Sequence, residues 1–301
     1  PLGTIKKMTM TKLLLITATT VAVLFSSCKK RNDCDHYSNN NAQTLEHDGL
    51  MREYLVYVPS TYNGNSAIPV VLNFHGFGGL ASDHMMEADM STQAENDTFI
   101  LVYPQGACLD GFSHWNSSLA GGDNKSDVDD LGFIDALIDK LNSDYNVDQE
   151  RIYACGYSNG GMMSYALACY QSERIAAIGS VSGSMIDQSS SCVPSHPMPL
   201  IKLHGTSDDV LPYNGGSDYT SAQSTVDYWV NFNSANTTPE VETVGNIQHF
   251  VYANGDSNVS VEHYKYIAGG HVWFNNTYQG SNASQLIWDF FAQYDINGLR
   301  N

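Results

Sequence analysis

Positive charge is what this chain has least of. Across 301 residues, 14 Lys and Arg stand against 32 Asp and Glu, a formal net charge of −18. A surface of that sign repels phosphate backbones and anionic lipid headgroups, and no basic patch offsets it. Nucleic acid is therefore excluded as an expected partner, and a neutral ligand is the easier one. Metal and nucleotide signatures are missing as well. There is no HExxH, no CxxC pair, no GxGxxG and no P-loop, and histidines such as His36 and His47 carry no ligand spacing. Neither a metal nor a cofactor is expected. No internal repeat and no second composition regime occurs after Leu45, so a 42% hydrophobic content reads as the core of one domain, expected to act as a monomer.

What is present begins with a leader. Lys6, Lys7 and Lys12 precede an apolar run, Leu13 to Phe25, too short to span a bilayer comfortably. Small residues then meet a cysteine in Phe25-Ser26-Ser27-Cys28. Residues 1–27 read as a lipoprotein-type signal peptide, with Cys28 as the lipidated first residue of an exported, surface-held protein. The polar, Asn-rich stretch 28–44 reads as a flexible tether, and the domain as residues 45–301. Membrane contact is expected only through that N-terminal anchor. Export permits disulfides, and the five cysteines beyond Cys28 leave at least one thiol free. Cys169 and Cys192 are the expected pair, while Cys155 suits a small buried apolar position.

Within the domain, Ile68–Phe74, Phe99–Tyr103, Ile175–Val181 and Leu200–His204 are short continuous apolar runs, as strands buried on both faces require. Apolar residues at three- and four-residue spacing from Val128 to Tyr145 mark an amphipathic helix whose start carries Asp127, Asp129 and Asp130, matching the helix dipole. Helices are also expected over Asp218–Phe232 and Ser284–Tyr294, and a hairpin at Asn254-Gly255. Strands alternating with helices predict an α/β fold with a mostly parallel central sheet flanked by helices.

The most informative stretch is Arg151 to Ala168, RIYACGYSNGGMMSYALA. A strand, the turn Gly156-Tyr157-Ser158-Asn159-Gly160 and an apolar helix give the context of a G-x-S-x-G nucleophile elbow. Its glycines allow strand and helix to approach, and Ser158 stands at the tip as a nucleophile. The order serine, acid, histidine then points downstream. Asp208 follows the Leu200–His204 strand, with Asp209 as its competitor, and His271 follows Ala268-Gly269-Gly270 in a loop before the last helix. His249 and His263 lie inside strand-like runs and are weaker candidates for the base. Backbone N–H groups of Phe77, in the turn His75-Gly76-Phe77-Gly78-Gly79, and of Asn159 would form an oxyanion hole. His75, Trp115, Tyr157 and Trp273 are candidate substrate contacts.

With those residues in place, the chain resembles the secreted poly(3-hydroxybutyrate) depolymerase and feruloyl esterase group, carbohydrate esterase family 1 in its bacterial branch. The matching segments are GLMREYLVYVPSTY (49–62), VVLNFHGFGG (70–79), VYPQG (102–106), VDDLGFIDALIDKL (128–141), RIYACGYSNGGMMSYALAC (151–169), HGTSDDVLPYNGG (204–216) and GGHVWF (269–274). The resemblance implies a single α/β-hydrolase domain without a metal, and places the acid on Asp208 and the base on His271. Phe274 stands where the group usually has proline, as does Asp209 after the acid. The implied reaction is hydrolysis of an ester, of a neutral saccharide or an oligoester. Feruloyl or related polysaccharide esters lead; polyhydroxyalkanoate or other polyester, or acetylated xylan, are the alternatives. An inactive glycan-binding scaffold is disfavoured because all three positions are filled.

Overall fold

A strand covered on both faces must be apolar along its whole length, and four such strands stand at the centre of the computed structural model. It describes residues 41–120, 122, 124–186, 191–217 and 219–300. The expected leader at 1–27, Cys28 and the tether as far as residue 40 lie outside the described residues. In chain order the elements are β1 (Gln43–His47), β2 (Leu50–Tyr57), β3 (Ile68–Phe74), α1 (Ala81–Glu87), α2 (Ser91–Asp97), β4 (Ile100–Pro104), β5 (Ala107–Leu109), β6 (Phe112–His114), α3 (Asp130–Asp144), β7 (Val147–Tyr157) and α4 (Asn159–Tyr170). There follow β8 (Ala177–Val181), β9 (Leu200–Gly205), α5 (Ala222–Phe232), β10 (Glu240–Val244), β11 (Ile247–Tyr252), β12 (Val261–Tyr266), α6 (Ala283–Phe291), β13 (Tyr294–Asp295) and β14 (Gly298–Leu299).

Ten strands form one sheet in the order β1-β2-β4-β3-β7-β8-β9-β12-β11-β10. From β4 to β12 neighbours run parallel, and antiparallel pairs finish both edges. The expected mostly parallel sheet is what the chain forms. β3, β4, β8 and β9 are buried at every position. One face packs Phe133 and Leu137 of α3, Met163 and Leu167 of α4 and Trp229 of α5. The other packs Ala81 of α1, Ala94 of α2 and Ile287 and Phe291 of α6. Each fully buried side chain of this size contributes roughly 1.5–3 kcal/mol, which is why the apolar runs dictate the layers. Among the described residues no helix is long and apolar enough to cross a membrane.

Local chemistry sets the element ends. Asp129 caps α3 by accepting the Gly132 amide at 2.9 Å, so the acidic run begins a helix as expected. Its neighbour Asp130 turns inward instead and pairs with Arg52 of β2 at 2.6 Å, both side chains buried. α5 starts at Ala222, where the Ser221 hydroxyl caps it on the Ser224 amide at 3.0 Å; the expected start at Asp218 lies outside the described residues. α6 ends at Phe291, and Tyr294 belongs to β13. The expected hairpin at Asn254-Gly255 is not a tight turn: β11 and β12 are antiparallel, but residues 253–260 join them through a 3₁₀ turn, and Gly255 has a φ of −66°. The two-residue turn is Gly245-Asn246, between β10 and β11, where Gly245 supplies the positive φ of 60°. Cys169 and Cys192 are joined, and Cys108 is also disulfide-bonded. Cys155 is a buried free thiol whose pKa burial pushes up, which keeps it protonated and inert.

Candidate active site

β7 delivers the chain to the elbow at the C-terminal edge of the sheet, and α4 leaves it at once. Between them Ser158 takes φ 54° and ψ −116°, a conformation that costs a non-glycine residue energy and holds its side chain out at the tip. The flanking glycines are required by contact. A Cβ on Gly160 would lie 2.1 Å from the Phe74 carbonyl oxygen, and one on Gly156 would lie 2.5 Å from the carbonyl of Gly160. No side chain fits either gap.

Three loops bring three functional groups together. His271, in the loop after β12, has Nε2 2.9 Å from Ser158 Oγ and Nδ1 2.8 Å from Asp208 Oδ2. Since a carboxylate can only accept, Nδ1–H donates to Asp208, and Nε2 is left to accept the serine proton. Asp208 has no exposed side-chain surface. Burial works against its charge, but hydrogen bonds from His204 and His271 and from the Leu211 amide outweigh it and hold the carboxyl well below the usual range. Its Oδ1 accepts the Val210 and Leu211 amides at 3.0 and 2.8 Å, which fixes the loop after β9. Asp209, the alternative acid, is exposed and Asp208 alone meets His271.

The two amides expected to serve as oxyanion donors, of Phe77 and Asn159, belong to residues in the turn packed against Ser158 or next to it in the chain. Asn159 is the first residue of α4, where a backbone N–H has no intrahelical acceptor. A Cβ on Gly76 would come within 3.3 Å of Ser158 Cβ, so the turn carrying Phe77 lies against Ser158. Gly78 and Gly79 of that turn donate to Ser113 and Gly76 at 2.7 and 3.0 Å, and the Phe77 amide has no acceptor among the described residues. The Asn159 side chain clasps the Trp115 backbone from both sides, accepting its amide at 2.7 Å and donating to its carbonyl at 3.0 Å.

Three of the four expected substrate contacts are corrected. His75 is 1% exposed, with Nδ1 2.7 Å from the Gly76 carbonyl and Nε2 accepting from the Gly106 amide at 2.9 Å and from Gln105 at 3.0 Å. Burial pulls its pKa down to about 4, so the ring is neutral and braces the turn that carries Phe77. Trp115 is 1% exposed and donates its indole N–H to the His75 carbonyl at 3.0 Å. Trp273 is buried and donates to Ser284 Oγ at 3.2 Å. Only Tyr157 remains partly open: its hydroxyl donates to the His271 carbonyl at 2.8 Å, and its ring centre lies 5.0 Å from the imidazole. Phe274, in place of proline, stacks on Tyr266 with ring centres 3.8 Å apart and anchors the His271 loop.

Two supporting residues escaped the sequence reading. Gln105, next to last in the VYPQG segment, accepts the Ala81 amide at 2.8 Å while donating to His75. His204, four residues before Asp208, places Nε2 3.3 Å from Asp208 Oδ2 and 2.9 Å from the Leu211 carbonyl. The motif spacing His204-Gly205-Thr206-Ser207-Asp208 was visible, but its meaning needed the turn to fold the histidine back.

A mostly parallel sheet between helical layers, with serine, carboxylate and histidine on the loops after β7, β9 and β12, defines the α/β-hydrolase class. Within it, the chain belongs to the phospholipase/carboxylesterase family, whose model matches residues 62–254. Over 257 residues it is 28% identical to feruloyl esterase B of Piromyces equi, covering 81% of this chain and 46% of that protein. It is 27% identical, again over 257 residues, to a bifunctional acetylxylan esterase/xylanase of Neocallimastix patriciarum, covering 83% of this chain and 34% of the relative. The chain thus spans less than half the length of these two relatives. Its fold is similar to that of an acetyl xylan esterase from Aspergillus awamori, with a TM-score of 0.61, 15% identity and coverage of 83% and 98%.

Proposed function

We propose that this protein is an exported serine carboxylesterase that cleaves feruloyl or related ester bonds of plant or algal polysaccharides. The observation that carries this reading is the hydrogen-bonded line Ser158–His271–Asp208, at 2.9 and 2.8 Å, on a strained elbow. Ser158 Oγ attacks the ester carbonyl carbon as His271 Nε2 takes its proton; Asp208 holds the imidazole in the Nδ1–H tautomer and balances the imidazolium. The amides of Phe77 and Asn159 receive the oxyanion, each typically worth ~3 kcal/mol. His271 returns the proton to the departing alkoxide, and a water, deprotonated by the same nitrogen, releases the acid from Ser158.

The choice of ester is supported by the likeness to a feruloyl esterase and an acetylxylan esterase/xylanase. Export is supported by the disulfide between Cys169 and Cys192, a bond characteristic of oxidising compartments; Cys28 as a lipid-bearing residue rests on the Phe25-Ser26-Ser27-Cys28 pattern of the sequence. The decisive experiment compares methyl ferulate, p-nitrophenyl acetate and hydroxybutyrate trimer for the wild type and Ser158→Ala. Loss of about 10⁴-fold or more in kcat on replacing Ser158 is expected. Retained activity would end the nucleophile assignment, and a negligible ferulate rate beside rapid trimer cleavage would move the substrate to polyesters.

A further inference from the structure

β5 and β6 form a small hairpin closed by Asp110-Gly111, both at positive φ, and it sits against the turn that carries Phe77. The Gly78 amide donates to the Ser113 carbonyl at 2.7 Å, the Ser113 hydroxyl bonds the Gly79 carbonyl, and the Gly106 amide donates to His75 at 2.9 Å. Hairpin and turn are thereby one unit. Ala107, Ser113 and His114 face inward and are buried, but Phe112 is 56% exposed and Phe77 51%. Among the described residues these are the two strongly exposed phenylalanines. They are not scattered: their rings stack with centres 5.7 Å apart and planes within 17°. Leu109, paired with Phe112 across the hairpin, extends the apolar surface, and the Lys125 ammonium lies 5.8 Å from the Phe77 ring centre.

An exposed aromatic pair on the turn that lies against Ser158 is costly to keep in water and is cheaply covered by another flat ring. We infer that Phe77 and Phe112 form the acyl platform of this site and select a planar aromatic acyl group of the hydroxycinnamoyl type. The inference rests on the esterase reading and names the part of its substrate that the enzyme measures. Reach decides for the acyl side. From standard bond lengths, a cinnamoyl carbonyl carbon and its ring centre are about 5 Å apart, much like the separation of a phenylalanine's amide nitrogen from its own ring. An acyl chain whose oxygen is held on the Phe77 amide is therefore long enough for its aromatic ring to reach the Phe77 ring, whereas an acetyl group stops short of it. Neither phenylalanine offers a hydrogen bond to order sugar hydroxyls, so the saccharide alcohol is the poorer occupant.

The test uses two esters that separate the acyl group from the alcohol: methyl ferulate, and an acetylated xylo-oligosaccharide. For Phe112→Ala, KM for methyl ferulate should rise about tenfold, as expected for one lost aromatic stack, with kcat changing little. For the acetylated oligosaccharide, kcat/KM should fall by less than about threefold. Phe112→Trp, which keeps a ring, should retain the wild-type KM for ferulate. Equal losses on both esters, a loss confined to the oligosaccharide, or no change on ferulate would each overturn the platform. A wild type that cleaves the acetyl ester but not ferulate would overturn it while leaving the esterase reading intact. A wild type that cleaved neither of these nor hydroxybutyrate trimer would remove both.

Discussion

Lys202 lies in β9, two residues before His204, fully buried behind the carboxylate that orients His271. Its ammonium donates to the Gly183 carbonyl at 2.7 Å and reaches the Tyr165 hydroxyl at 3.4 Å, with no carboxylate at ion-pair distance among the described residues. Burial draws its pKa from 10.5 down to about 7, against the upward pull of the Asp208 charge. In the unfolded chain the same group titrates near 10.4. Between those values the unfolded state holds the proton and the folded state does not, so the folded state gains stability as pH rises through that window. The penalty of burying the charge is fully present below pH 7 and relieved towards pH 10. Lys202→Met removes this dependence. The wild-type minus variant difference in unfolding free energy should therefore increase by one to a few kcal/mol from pH 7 to pH 10, measured by urea denaturation. A difference that stays flat would mean that Lys202 keeps its ordinary pKa in the folded protein.

At the scale of elements, the Arg52–Asp130 pair is the cross-tie between the edge of the sheet and the start of α3. Asp130 also accepts the Asn116 amide at 2.8 Å, so the same carboxylate holds the loop that leads from Trp115 to the helix. Arg52 lies over the Phe133 ring at 4.0 Å and is 1% exposed, leaving no route for water to replace a lost partner. Asp130→Ala should destabilise the domain by ~3–5 kcal/mol in chemical denaturation, because it strands a buried guanidinium. Arg52→Met together with Asp130→Leu should recover more than half of that loss; an additive double variant would show that the pair contributes only through packing. None of this pair was legible in the sequence, where Asp130 was one of three acids at a helix start. What was legible followed from burial on both faces: β3, β4, β8 and β9 announce themselves as apolar runs because no position on them meets water. The elbow was legible because its glycines are imposed by backbone contacts a few residues apart. His75, Trp115 and Trp273 were misjudged for the opposite reason. A side chain with a polar tip beside an active site has the same sequence signature whether it points into the cleft or back at Gly106, the His75 carbonyl or Ser284, and those partners are distant in the chain. The turn at Gly245-Asn246 was overlooked in favour of Asn254-Gly255, whose flanking strands pair across a wider connection.

For the whole molecule, the net charge of −18 acts on every approaching substrate before any local contact does. Lys125 is set near Phe77, while Asp110, at the tip of the β5–β6 hairpin, and Asp209, next to Asp208, are exposed. The long-range field therefore opposes anions, and Lys125 can offset it only at contact distance. Screening separates the two contributions, since the Debye length shrinks from about 30 Å at 0.01 M salt to about 8 Å at 0.15 M. For methyl ferulate, kcat/KM should change by less than about twofold over that range, as a neutral ester feels little of the field. For an ester carrying a free carboxylate, such as the mono-p-nitrophenyl ester of succinic acid, kcat/KM should rise several-fold with salt, chiefly through a lower KM. Steady-state rates at constant pH and increasing sodium chloride decide the matter. If salt slowed the anionic ester instead, the Lys125 ammonium would dominate at the mouth, and acidic saccharide esters would join the expected substrates.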